Sequence, residues 1–153
     1  LDAERLVRRE LHGYVIARLS PARLEHLYQL SGALLDLSID CASRPDCIAP
    51  PQGMSRTAAY PDAMTELLHE IAAGQANHEL TAYAVGVTNR LLPARRYEPL
   101  VFTEATQDLE TIRSLWNRRT FDGLRVSLRA YHDSRIERAD SLARLLAAEA
   151  GDA

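Results

Sequence analysis

Three side chains on separate stretches of the chain have the chemistry to hold a metal ion or a small anion. They are His69 in TELLHEIAAGQANHEL, Asp108 in TEATQDLE and His132 in SLRAYHDS. Imidazole nitrogens and carboxylate oxygens are the donors that zinc and similar ions accept, and three of them with a water complete a four-coordinate site. Arginines form a second theme: Arg8 beside Arg9, Arg95 beside Arg96, and Arg125 one turn before Arg129. Each pair reads as a solvated face or, where one member points inward, as a guanidinium fork for a carboxylate. Other chemistries lack their residues. In LLHEI, Ala73 stands where an HExxH pair needs its second histidine, and the chain has no GxSxG, P-loop or GxGxxG string.

Helical periodicity says how these side chains are aimed. At about 100° per residue, Asp108 lies about 70° from the centre of its apolar stripe and His132 about 60° from its own. Both are inward flanks that can converge on a polar pocket. His69 lies about 130° from the centre of the stripe made by Met64, Leu67, Leu68 and Ile71, which reads as a solvent edge. His12 is edge-like, one turn after Arg8, and His26 and His78 sit near helix starts as ordinary surface residues.

The elements that must position them are all helical in pattern. A first segment, from about Asp2 to Leu19, places Val7, Leu11, Tyr14 and Val15 on one face. Ser20 and Pro21 then open a second helix running to about Ile39, with Ser20 as its cap. The Pro- and Gly-rich stretch CASRPDCIAPPQGMSR reads as a long loop. A third helix covers about Pro61 to Ala73, with Gly74 as its C-terminal cap. Asn77 caps a fourth that runs to Pro93, a fifth spans Thr103 to about Arg118, and a sixth, the longest, runs from about Asp122 to Ala148. LRVSL is the nearest thing to a strand, and it lies inside a longer 3.6-residue pattern. The expected fold is all-α: one domain over residues 1–153, an antiparallel bundle of about six helices.

Composition sets outer bounds. The 153 residues carry a net charge of −3, with 46% hydrophobic and 25% charged residues, as in ordinary globular domains. A surface that grips nucleic acid broadly needs more cations than that. Cys41 and Cys47 are too few for a secreted disulfide framework and read as two inert thiols or as one loop-closing disulfide. No run of 18 apolar residues and no signal-peptide pattern is present, so the expected location is the cytoplasm, with no membrane partner.

The order of these pieces resembles the FCD domain, the C-terminal effector-binding domain of FadR-subfamily GntR transcription regulators. LVRRELHGYVIARLS is similar to that family's opening helix, with Arg8 on its arginine and His12 where a glutamate is expected. LLHEIAAGQAN resembles the family's Phe-His and Ala-Gly-Asn signature, with Leu68 in the Phe position, His69 on the metal-ligand histidine and Asn77 on the asparagine. DLETIRSLWNRRTFDGLRVSLRAYH resembles the last two helices, with Asp108 and His132 on two histidine positions. Thr65 stands where the family has an aspartate. The resemblance implies a metal set of His69, Asp108 and His132 for one divalent ion (Zn, Ni or Mn) and gives Arg8 and His12 to the effector. It further implies a small carboxylate effector, a homodimer, no enzymatic activity, and an upstream winged-helix domain through which the intact regulator reads DNA. The competing readings are a helical metal-dependent enzyme and a ligand-free protein-interaction domain.

Overall fold

The computed structural model describes residues 7–10, 13–16, 19–44 and 58–151. The fold is all-α apart from one short antiparallel pair near the start, β1 (Val7–Glu10) and β2 (Gly13–Ile16). Eight helices follow among the described residues: α1 (Pro21–Ala42), α2 (Tyr60–Ala73), α3 (His78–Arg90), α4 (Leu92–Arg95), α5 (Glu98–Val101), α6 (Ala105–Asn117), α7 (Phe121–Glu137) and α8 (Ala139–Gly151).

The helix expected over residues 2–19 is corrected by the strands at residues 7–10 and 13–16, the described part of that stretch before Leu19. Val7 pairs with Ile16, Arg8 with Val15, Arg9 with Tyr14 and Glu10 with Gly13. Val7, Tyr14, Val15 and Ile16 are β-branched or aromatic, types that favour a pleated surface. Gly13 adds a helix cost of about 1 kcal/mol. The i, i+4, i+7 spacing that suggested a helix is thus outweighed by residue type.

The caps are where the sequence puts them. The Ser20 hydroxyl accepts from Arg23 N at 3.3 Å, and the Asn77 carboxamide accepts from Leu80 N at 3.1 Å. Pro21 and Pro61 occupy the first turns of α1 and α2, where a missing N–H costs no helical bond. The long C-terminal helix is divided: α7 stops at Arg138 and α8 begins at Ala139. The break has a packing reason. Leu124, Leu128 and Tyr131 of α7 enter one core cluster with α2 and α6, whereas Ala139, Leu142 and Ala143 of α8 enter a second with Leu24, Leu27, Leu91 and Phe102. The break lets each segment present its apolar face to its own cluster. α1 spans both clusters, packing along α7, α3, α2 and α8.

Gly74 ends α2, but not for its conformational freedom. Its φ is −71°, a value any residue adopts. The constraint is space: a methyl group there would overlap Cη2 of the buried Trp116 indole and stand 2.8 Å from its Cζ2. Gly74→Ala should therefore cost about 1–3 kcal/mol of stability in urea denaturation. Trp116→Phe, which removes those atoms, should make the same change nearly neutral. Equal cost in both backgrounds would show that the ring is not the obstacle.

No described helix is long and apolar enough to cross a membrane. Cys41 is a free, half-buried thiol at the end of α1, and Cys47, with most of its loop, lies outside the described residues.

Candidate functional site

The polar centre of the bundle is built on Glu98, a residue 0% exposed in the first turn of α5. Pro99 follows it in that first turn, where its missing N–H costs no helical bond. A fully buried carboxylate requires donors on its oxygens, and five contacts supply them. Tyr28 of α1 donates to Oε1 at 2.8 Å, and Tyr60 of α2 donates to Oε2 at 2.5 Å. The Tyr131 hydroxyl of α7 sits 3.0 Å from Oε1 and 3.2 Å from Oε2, and Arg135 Nε donates to Oε2 at 3.3 Å. Burial, and then the charge of Glu98, raise the Tyr28 hydroxyl well above its ordinary value and push Tyr131 up to about 12. Burial likewise raises Tyr60. All three phenols therefore keep the protons they donate.

Two guanidiniums flank this carboxylate. Arg135 of α7 lies between the rings of Phe102 and Tyr131, with its carbon 4.2 Å and 4.1 Å from their centroids. It donates from Nη1 to Asp108 Oδ2 at 2.7 Å, so a second carboxylate completes its pairing. Arg95 of α4 is 0% exposed and is held differently. Its Nη1 donates to the Thr88 carbonyl at 2.7 Å and to Thr65 Oγ1 at 3.3 Å, and its Nε to the Tyr131 hydroxyl at 3.4 Å. No hydrogen-bonded carboxylate is among these partners, and Nη2 has no partner.

The residues singled out from the sequence flank this network without meeting at one point. Asp108 is spent on Arg135. His132, which the periodicity places on an inward flank, is fully enclosed: Nδ1 donates to the Leu128 carbonyl at 2.7 Å and Nε2 accepts from Ser31 Oγ at 3.1 Å. Its ring meets Tyr131 edge-on at 4.9 Å. His69, expected at a solvent edge, is half-buried, and its Nε2 is enclosed without a partner. Burial holds its imidazole below the ordinary value, with Arg95 acting the same way against a hydrogen bond to Asn89. Thr65, one turn earlier, donates its hydroxyl to the Pro61 carbonyl at 2.7 Å. Arg8 falls in β1, where the backbone alone is described, and His12 lies outside the described residues.

This arrangement does not fit the metal set. Among the described residues, no three His, Cys, Asp or Glu side chains stand together as ligands could. His132 has both ring nitrogens engaged, Asp108 faces a guanidinium, and Thr65 contacts Arg95, a cation where an ion's carboxylate would be needed. Sequence reasoning missed Glu98 and the three tyrosines. A signal existed: Tyr28, Tyr60 and Tyr131 lie on apolar stripes, and a buried phenol needs a partner for its hydroxyl.

A groove between α1 and α7 backs onto the same network. Its volume is about 320 Å³, near the lower end of the range for small-molecule sites. Tyr28, Gly32 and His132 line it together with Asp36, Arg125 and Arg129. Arg125 is paired with Asp40 at 2.8 Å and Asp36 at 3.8 Å, while Arg129 is exposed. Compared with family models, curated proteins and solved structures, the chain matches none.

Proposed function

We propose that this domain is a sensor that binds a small carboxylate metabolite rather than transforming one. The observation that supports the reading is the α1–α7 groove of about 320 Å³, which offers Arg129 as a cation at its rim. His132 and Tyr28 at its lining connect that opening to the buried Glu98 network. A ligand that moves either ring therefore alters the contacts that join α1, α5 and α7. Binding of this kind becomes signalling only when the ligand prefers one of two arrangements of the protein. The FCD-like order of the sequence adds the outlet: a second copy of the chain, and a DNA-reading domain whose placement the ligand biases.

The test is a thermal-shift panel of short mono- and dicarboxylates on the purified chain. A saturating ligand at 100 times its dissociation constant stabilises by about 2.7 kcal/mol, or on the order of 5–10 °C for a chain of this size. Arg129→Glu should abolish that shift. Because Arg129 is exposed, the change should leave the ligand-free melting temperature within about 1–2 °C. A panel that gives no shift, or shifts that survive Arg129→Glu, would remove the groove as the sensing site.

A further inference from the structure

The charges that line the α1–α7 groove are not all spent. The two helices run antiparallel there: Arg125 meets Asp36 and Asp40, and further along α7 His132 meets Tyr28 at a ring separation of 6.5 Å. Arg125 is neutralised by its two carboxylates. Arg129 and Asp133, one turn apart on α7, also line the groove, and both are exposed. Neither enters an ion pair among the described residues, although Asp40–Arg44 and Asp140–Arg144 pair at the same i, i+4 spacing. Direction accounts for the difference. Those pairs run acid first, the order that favours pairing along a helix, whereas Arg129 precedes Asp133. The groove thus carries one cation and one anion, unneutralised, with Cβ atoms about 5–6 Å apart. Behind them the lining changes character. Gly32 has no side chain to fill the groove, and a methyl there would stand 3.3 Å from Cγ of the His132 ring. Tyr28, Leu128 and Ile136 supply aromatic and apolar surface.

We infer that the groove takes a free α-amino acid with an apolar side chain. Arg129 meets its carboxylate, Asp133 meets its ammonium, and the side chain lies against Tyr28, Leu128 and Ile136. The inference rests on the sensor reading and narrows its ligand class. Side chains one turn apart face the same side of a helix, so both reach the two charged groups on one α-carbon. A simple carboxylate keeps only the Arg129 contact. A dicarboxylate brings its second negative charge toward Asp133, where like charges repel. The volume of about 320 Å³ suits a ligand of amino-acid size.

The probes are leucine, 4-methylpentanoate and 3-methylbutylamine, titrated into the purified full chain at constant ionic strength. The second lacks leucine's ammonium and the third lacks its carboxylate. Binding is read by NMR of the His132 ring, which lines the groove. Leucine should bind about fivefold more tightly than either analogue, the upper range for one exposed ion pair. Asp133→Asn should abolish the preference for leucine over 4-methylpentanoate and leave that carboxylate bound as tightly or more so. Arg129→Glu should abolish the binding of both. Both positions are exposed, so the two variants keep the fold. Equal affinities for leucine and 4-methylpentanoate, or a leucine preference that survives Asp133→Asn, would overturn the amino-acid assignment and leave the carboxylate-sensing groove standing. Tightest binding of 3-methylbutylamine would overturn the assignment too. No saturable response at His132 to any probe, or binding that survives Arg129→Glu, would overturn both readings.

Discussion

Glu98→Gln should lower the stability of the fold by about 3–5 kcal/mol, the range for stripping a buried charge network of one partner. For a chain of this length that corresponds to a melting temperature lower by on the order of 10 °C. The carboxamide keeps the shape of the side chain, so the loss is electrostatic. It presents two N–H groups to a centre already crowded with donors: Tyr28, Tyr60, Tyr131 and Arg135 all point protons at this residue. It also removes the one fully buried carboxylate among the described residues, leaving Asp108 to pair Arg135 and no hydrogen-bonded or buried carboxylate beside Arg95 among them. Tyr60→Phe deletes one bond to the same carboxylate and the long 3.4 Å bond that its hydroxyl accepts from Arg135 Nη2, and should cost only about 1–2 kcal/mol. Urea denaturation of both variants checks the ordering. A Glu98→Gln variant within 1 kcal/mol of the parent would mean that Glu98 does not hold the centre together.

The same network explains which parts of the molecule were legible in the sequence. Helices α1 and α3 are legible because a capping residue, Ser20 or Asn77, stands at each start, and α2 and α6 because a 3.6-residue stripe does, as with Met64, Leu67, Leu68 and Ile71 on one buried face. The first segment is not, because Val7, Leu11, Tyr14 and Val15 satisfy a helical spacing while their residue types favour a strand, as the Val7–Ile16 pairing shows. Gly74 is legible as an end and not as a reason, since the Trp116 ring that requires it lies 42 residues away in sequence. The break at Arg138 is hidden for a similar cause: it depends on which cluster each half of the segment enters, a tertiary fact.

The candidate site shows the limit more sharply. Periodicity aims Asp108 and His132 inward, and both do border the central network. What it cannot show is that Arg135, one turn past His132, takes Asp108 for itself. Nor can it show that Arg95, one of a pair that reads equally as surface, is the buried member while Arg96 is exposed. Spacing along a helix fixes a direction. Whether the group met there is a metal, a guanidinium or a phenol is decided by residues such as Glu98, which lie on short elements with no period of their own.

Acid should weaken the fold through His132 by about 3 kcal/mol, a loss beginning near pH 6.5 and levelling off near pH 4. Burial pushes the His132 imidazole down to about 4 from an ordinary 6.5, and the charges of Arg95 and Arg135 act in the same direction, against the bond to Leu128. The unfolded chain takes up its proton near 6.5, and the folded chain does so only near 4. Between those values the unfolded state binds more protons, so stability rises with pH; it is fully present above 6.5 and lost toward 4. The geometry gives the cause. Nδ1 donates to the Leu128 carbonyl and Nε2 accepts from Ser31, so a neutral ring satisfies both neighbours. A second ring proton would confront the Ser31 hydroxyl inside an enclosure already holding two guanidiniums. Urea midpoints between pH 4 and 8 measure the slope. His69 contributes with the same sign, since its imidazole is also held below the ordinary value, so the comparison must be made against His132→Gln. That variant starts from a lower stability but should lose most of the dependence between pH 4 and 6.5. Parallel profiles for parent and variant would show that His132 takes up its proton in the folded chain as readily as in water.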